Sequence, residues 1–353
     1  MAKKVLLGMS GGVDSSVSAI ILKENGYDVT GITFSLWVDS EKNEKDAKAV
    51  CEKLNIPHLT LNLKDEFNKH VIQDFIYNYK NEYTPNPCIE CNRFIKFGAM
   101  FRKAQELGID YIATGHYAKI EYSEKYGKDV LKKSNSIMKD QSYVLYNIPK
   151  ELLSNIVFPL GEFESKDEIR KIAEKNGLEV ANKPDSEDIC FIPNGNYKEF
   201  LENYANFKAK EGNIVNKEGK VLGKHTGLYK YTIGQRKGLG ISNPVPLFVI
   251  GFNKEKNELI VGEEKELYKK ELIASNVNWL VDDDLANTKI NNDKLIVKAK
   301  IRYAAKEQIA QLVKLENDSV KVIFEEEQRA ITPGQSVVFY DDDIVLGGGK
   351  IKE

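Results

Sequence analysis

The sequence predicts an α/β protein: an N-terminal domain on a parallel β-sheet, then a small β-rich domain, then a β-barrel or sandwich. Three observations carry this. Strand and helix patterns alternate through the first part of the chain, the succession that makes a parallel sheet covered by helices. A glycine-rich turn, Ser10-Gly11-Gly12-Val13-Asp14-Ser15-Ser16, separates the first strand pattern from the first helix pattern. From Gly212 onward, short β-rich runs are divided by Gly, Asn and Asp turns.

In chain order, Val5-Leu6-Leu7 reads as a buried strand, Val17, Ile20 and Ile21 as one face of a helix, and Gly26 as its stop. A second strand covers Val29 to Phe34. A helix follows near Ala47 to Leu54, a strand near Leu59 to Leu63, helices over Phe67 to Tyr79 and Asn92 to Leu107, and a strand at Tyr111-Ile112-Ala113. Ser165-Lys166-Asp167-Glu168 is a capping box opening a helix that Gly177 closes. Beyond it, Lys220-Val-Leu, Leu247-Phe-Val-Ile, Leu259-Ile-Val, Leu295-Ile-Val and Val320-Lys-Val-Ile read as strands, and Asp282-Asp-Asp and Asp341-Asp-Asp as solvated turns.

With 353 residues and 42% hydrophobic content, the chain can bury more than one core. Lys plus Arg (51) nearly cancels Asp plus Glu (53), so any nucleic-acid affinity must be local. No apolar run reaches the ~18 residues of a membrane span. Met1-Ala-Lys-Lys4 leads straight into a strand rather than a signal peptide, so the expectation is a cytoplasmic protein with no membrane partner.

The turn at Ser10 to Ser16 follows a strand and opens a helix, so its backbone N–H groups face an anion at a helix N-terminus. It is not a Walker A loop, for no Gly-Lys-Ser/Thr follows, nor the dinucleotide Gly-x-Gly-x-x-Gly. Its Ser-Gly-Gly-x-Asp-Ser pattern resembles the PP-loop of the N-type ATP pyrophosphatases. That resemblance implies ATP gripped by its pyrophosphate, Mg²⁺ held with the help of Asp14, and release of pyrophosphate as an oxygen is adenylated.

Four cysteines in so long a chain do not form a disulfide scaffold. Cys51, on an apolar stripe with Ala47, Val50 and Leu54, reads as a small buried hydrophobe. Thr84-Pro-Asn-Pro-Cys88-Ile-Glu-Cys91-Asn92 precedes the expected helix, where the positive end of the dipole lowers a thiol pKa, so Cys91 is expected to be a thiolate. Cys190, in Asp185-Ser-Glu-Asp-Ile-Cys190-Phe-Ile-Pro193, has acidic neighbours that alone raise its pKa, and needs a partner. Zinc is not expected, because no second Cys/His pair accompanies Cys88 and Cys91.

Gly8-Met-Ser-Gly-Gly-Val-Asp-Ser-Ser16, Pro85-Asn-Pro, Cys91-Asn92, Ile95-Lys-Phe97, Ala113-Thr-Gly-His-Tyr117, Lys139-Asp-Gln-Ser-Tyr143 and Ile189-Cys-Phe191 together resemble the bacterial tRNA-specific 2-thiouridylases, the MnmA family. So do Gly227-Leu, Thr232-Ile-Gly-Gln-Arg-Lys-Gly-Leu-Gly240, Ile301-Arg-Tyr303, Thr332-Pro-Gly-Gln335, Val338-Phe-Tyr340 and Leu346-Gly-Gly-Gly349, so the likeness spans essentially the whole chain.

The resemblance implies an adenine nucleotide alpha hydrolase-like PP-loop domain over residues 1–203, a β-rich tRNA-contacting domain over 204–270 and a β-barrel over 271–353. It implies an ATP-dependent sulfurtransferase that adenylates the C2 oxygen of the wobble uridine in tRNAs for Lys, Glu and Gln, then attacks with persulfide sulfur. Cys190 would carry the persulfide. Cys91 would be the second catalytic cysteine, closing a disulfide with Cys190 as sulfur leaves. Gly8, Met9, Ser10, Gly11, Gly12, Val13, Asp14 and Ser15, with Phe34 and Gly115, would line the ATP site. Asn86, Pro87 and Cys88 would meet the target uridine, and Lys139, Asp140, Gln141, Arg302 and Tyr303 would contact tRNA. The sulfur would come from a cysteine desulfurase, a sulfur relay protein or inorganic sulfide.

The chemistry agrees with these assignments: adenylation gives a poor electrophile a good leaving group, and a persulfide is a soft nucleophile at neutral pH. One departure is Cys88, where the best-known members carry an aspartate, so that residue's acid or base role does not transfer. Cys88-x-x-Cys91 with Cys190 also matches iron–sulfur-dependent tRNA thiolases, in which three thiolates hold a 4Fe–4S cluster. Spacing permits both arrangements, and both need Cys91 near Cys190.

Lys217, Lys220, Lys224, Lys230, Arg236 and Lys237 face only Glu218 within their stretch, with Tyr229 and Tyr231 interleaved. This is a local basic surface suited to RNA backbone, or an ordinary solvated hairpin. His116 receives no role, and Trp37 and Trp279 read as core or domain-contact residues. Two rivals share the loop: an amide-forming synthetase using ammonia, which has no use for paired cysteines, and a catalytically silent RNA-binding module.

Overall fold

The computed structural model describes residues 2–37, 41–182, 189–281 and 295–352; the acidic runs 185–188 and 282–284 singled out above lie outside them. Strands β1 (Lys4–Gly8), β2 (Asp28–Ser35), β3 (His58–Asn62), β4 (Tyr111–Ala113) and, after a hairpin of β5 (Ala118–Ser123) and β6 (Lys128–Lys133), β7 (Ile156–Val157) are the strands of the N-terminal region. All but the hairpin form one parallel sheet in the order β3-β2-β1-β4-β7. Val5, Leu6 and Leu7 are fully buried, as a strand covered on both faces requires.

Helix α1 (Val13–Glu24) follows β1 directly. Helix α2 (Glu41–Lys53) starts well before the expected Ala47, because its first turns are wholly polar and offer no apolar period to read. The segments Lys64–Phe67, Asn68–Ile72 and Gln73–Lys80 run on as one helix, α3, whose middle is π-helical. Pro87–Glu90, π-helical Cys91–Ala99 and Met100–Glu106 likewise form α4. It begins at Pro87 rather than at the expected Asn92. Proline suits the first helical position, and the Asn86 side chain caps it by accepting from the Cys88 N–H at 3.2 Å. A short helix, α5 (Ser142–Leu145), precedes β7, and α6 (Lys166–Lys175) opens on the expected capping box at Ser165 and Glu168.

The β-rich half divides in two. Strands β8 (Gly212–Val215), β9 (Val221–His225), β10 (Phe248–Asn253) and β11 (Glu258–Gly262) make a small sheet around Ile214, Val249, Leu259 and Val261. Strands β12 (Tyr268–Trp279), β13 (Leu295–Lys300), β14 (Gln308–Lys314), β15 (Val320–Arg329), β16 (Ser336–Asp341) and β17 (Ile344–Ile351) form a sheet that pairing of β12 with β17 closes into a barrel, deciding between barrel and sandwich. The β5–β6 hairpin extends this sheet through β17. Ala118-Lys-Ile-Glu-Tyr-Ser123 alternates apolar and polar residues, a strand pattern that sequence reasoning missed.

The barrel also braces the segment ahead of α4. Thr84 donates its N–H to the Pro333 carbonyl at 2.9 Å and accepts from Gln335 Nε2 at 2.7 Å. Lys350 reaches Glu90 at 2.9 Å and Asp74 at 3.1 Å, tying the barrel to both α3 and α4.

Candidate functional site

Connections from β1 and β4 leave in opposite directions along the sheet, so their carboxyl ends flank the crevice where open α/β sheets bind ligands. Both ends carry motifs. After β1, Gly12 caps α1 in an extended conformation without a side-chain cap, which leaves the first amides of α1 to an incoming anion. Ser15 donates to the Gly12 carbonyl at 3.1 Å and accepts from the Ser10 N–H at 3.3 Å; Ser16 donates to the same carbonyl at 2.8 Å. Gly11 needs its positive φ of 70°, and a Cβ there would lie 2.6 Å from Asp46 Cβ. After β4, Gly115 abuts this turn so closely that a Cβ would fall 2.9 Å from the Asp14 carbonyl carbon. Phe34, at the end of β2, is partly buried between two apolar clusters.

Asp14 has partners that sequence reasoning missed. Tyr117 Oη donates to it at 2.8 Å and Lys166 Nζ lies 2.6 Å from both its oxygens. The only signals were Tyr117 inside a quoted motif and Lys166 inside the capping box. A single carboxylate beside substrate phosphates is a donor set that Mg²⁺, which keeps several waters, accepts. Asp14 therefore fits, provided Lys166 shares it.

Three of the cysteines come together. Cys91 is buried in an apolar cluster that also holds Phe191 and Ile192, with Ile189 packed against it, so both neighbours of Cys190 are drawn onto α3 and α4. Phe191 stands edge-on to Phe75 at 5.4 Å and Phe67 at 5.6 Å. Cys88 and Cys190 are exposed. The expected Cys91 thiolate is overturned: burial pushes this thiol up to about 12, Lys96 opposes that, and the Cys190 and Cys88 sulfurs add to it. The early start of α4 puts Cys91 a turn inside the helix, in the core rather than at the dipole's end. The protein packed around Cys190 also raises its thiol, with Cys88 adding and Lys96 opposing. Cys51 is buried as expected, its thiol raised to about 11.

Among the described residues, no group of three or more His, Cys, Asp or Glu side chains is arranged to hold a metal ion. The thiols as placed therefore do not fit an iron–sulfur cluster. Iodoacetamide should alkylate Cys88 and Cys190 and spare Cys51 and Cys91, read by peptide mass spectrometry. Because the thiolate is the nucleophile and the Cys190 pKa is raised, its rate should climb about tenfold from about pH 7.5 to 8.5. Equal labelling of Cys91 would contradict its burial.

The residues expected to meet tRNA divide by environment. Asp140 accepts from the Ser134 and Ser142 N–H groups at 3.1 and 3.3 Å and from Ser142 Oγ at 2.7 Å, and Gln141 Oε1 accepts from the Tyr117 N–H at 3.0 Å. Both are thus committed to a turn. Lys139 is partly exposed beside it. Tyr303 is 43% exposed, edge-on to Tyr143 at 6.2 Å, with Lys300 Nζ 5.7 Å from its ring. Arg302 donates to the Arg329 carbonyl at 3.2 Å. Burial raises the Tyr303 hydroxyl, Asp140 adds to this and Lys139 opposes it, so the two turns are neighbours. In the basic stretch, Lys217 pairs with Glu266 and Lys230 with Glu202, each at 2.7 Å, while Lys220, Lys224, Arg236 and Lys237 are exposed.

Three family models match the chain: a tRNA methyl transferase HUP domain over residues 3–194, a tRNA methyl transferase PRC-barrel domain over 198–263 and an aminomethyltransferase β-barrel domain over 269–351. Proteins named tRNA-specific 2-thiouridylase MnmA match along their full length. The one from Clostridioides difficile is 47% identical, covering 100% of this chain and 99% of its own. That from Acetivibrio thermocellus is 48% identical with 99% of each chain covered, and that from Caldicellulosiruptor saccharolyticus 50% identical with 100% and 99% covered.

Proposed function

The chain belongs to the bacterial tRNA-specific 2-thiouridylase (MnmA) family, and from that premise we propose that it adenylates the C2 oxygen of the wobble uridine in tRNAs for Lys, Glu and Gln and replaces that oxygen with sulfur carried by Cys190. It is an ATP-using tRNA sulfurtransferase, and the finer assignments are our reading.

The observation that supports this reading most is a physical link between the two motifs. Cys91 and the segment around Cys190 share one apolar cluster, and α4 is tied through Lys96 and His116 (3.3 Å) to Gly115, which abuts the phosphate turn. The α1 amides bind the pyrophosphate of ATP while the uridine C2 oxygen attacks the α-phosphorus, the bond from that phosphorus to pyrophosphate breaks, and N3 gives up its proton. Mg²⁺ at Asp14 would neutralise phosphate charge. Asn86, Pro87 and Cys88, at the capped start of α4, meet a uridine splayed from the anticodon loop, as sequence-specific RNA recognition commonly requires. Lys139, Arg302 and Tyr303 hold the RNA alongside.

The terminal sulfur of a Cys190 persulfide attacks C2, the C2–O bond breaks, and AMP leaves with the electron pair. Cys91, a thiol at rest, then gives up its proton as its sulfur attacks Cys190 Sγ. The bond between Cys190 Sγ and the transferred sulfur breaks, its electron pair stays on the sulfur bound to C2, and N3 takes up a proton to give 2-thiouridine. Cys91 and Cys190 end as a disulfide that a thiol reductant must reopen.

Purified protein with ATP, Mg²⁺, a persulfide donor and unmodified tRNA should convert wobble uridine to 2-thiouridine, read by nucleoside mass spectrometry. Unmodified uridine despite tRNA-dependent ATP–pyrophosphate exchange would refute the sulfur assignment, and no exchange at all would refute the adenylation.

A further inference from the structure

Lys96 follows Cys91 by five residues within the π-helical stretch of α4, whose widened turn brings residues at that spacing toward one face. Its Nζ lies 3.3 Å from Nε2 of His116, whose Nδ1 is 2.7 Å from Thr114 Oγ1. His116 is only 8% exposed; burial and then the charge of Lys96 hold its pKa well below the usual value, so the ring is neutral. A neutral ring that accepts from the ammonium at Nε2 carries its proton on Nδ1 and donates it to Thr114. His116 thus holds the end of the Lys96 side chain in place. Lys96 is half-buried, and among the described residues no carboxylate pairs with it. A fixed charge stabilises most where negative charge develops only during reaction. The charge of Lys96 reaches both Cys91 and Cys190, where it opposes the effect of burial.

We propose that Lys96, braced by His116, is the counter-cation of the sulfur chemistry, steadying the persulfide anion of Cys190 as it attacks and the Cys91 thiolate as it forms. The proposal rests on the thiolation reading above. In both sulfur steps a full negative charge moves beside the buried part of α4, and among the described residues no other basic side chain opposes the effect of burial on both thiols. Lys96 supplies charge, and its hydrogen bond to His116 fixes where that charge sits.

In Lys96→Met, 2-thiouridine formation from sulfur-loaded enzyme should fall about 100-fold, at least about ten times more than tRNA-dependent ATP–pyrophosphate exchange falls. Lys96→Arg should recover most of the loss. Without ATP or tRNA, alkylation of Cys190 by iodoacetamide at about pH 8 should slow roughly five- to tenfold in Lys96→Met, a change that a merely structural role would not produce. Equal loss of exchange and thiolation with unchanged alkylation would overturn the proposal. If wild-type protein fails to thiolate yet alkylation still follows Lys96, the thiolation reading falls while the pairing of Lys96 with sulfur stands.

Discussion

Cys190→Ser should lower 2-thiouridine formation at least about 10³-fold and leave tRNA-dependent ATP–pyrophosphate exchange within a few-fold of wild type. A serine hydroxyl cannot carry sulfane sulfur, so the proposed nucleophile is removed, whereas the turn proposed to run adenylation is untouched. The substitution costs little in folding, since Cys190 is exposed and its neighbours Ile189, Phe191 and Ile192 supply the anchoring. Exchange is measured with labelled pyrophosphate and thiolation by mass spectrometry of digested tRNA. An amide-forming synthetase built on the same loop would keep its full rate in this variant, so thiolation that survives the change would sink the assignment.

Gly115→Ala is expected to cripple both steps. Its Cβ would lie 2.9 Å from the Asp14 carbonyl carbon, 3.0 Å from the Ser15 nitrogen and 3.1 Å from Asp14 Cβ. Two of these are backbone atoms at the start of α1, which cannot swing aside as a side-chain tip can. The β4 turn or the phosphate turn must move, and misplacing reacting groups by part of an ångström is enough to lose about 10²-fold in rate. Overpacking should also cost about 1–3 kcal/mol of stability, visible as a lowered melting temperature. Wild-type exchange in this variant would mean that the nucleotide does not use the β1–β4 crevice.

Much of the site was legible because its grammar is local. A strand, a turn of small residues and a helix specify a turn with free backbone amides within Gly8 to Ser16, the proposed phosphate site, and Ser165 with Glu168 announces a helix start in four residues. What failed depended on residues remote in the chain. The partners of Asp14 are Tyr117 and Lys166, 103 and 152 positions away. The basic stretch loses charge to Glu202 and Glu266, which lie outside it. Cys91 looked like a thiolate at a helix entrance, but its environment is set by packing with Phe75 and Phe191 from other segments.

By itself, then, the sequence determined the parallel N-terminal sheet, the glycine turn between β1 and α1 and the helix start at Ser165, because these follow from neighbours along the backbone. Only the tertiary structure decided that the last sheet closes on itself, which thiols are exposed, and which charges are already neutralised. Burial and charge pairing are sums over everything packed around a group, and the fold draws those surroundings from distant parts of the chain.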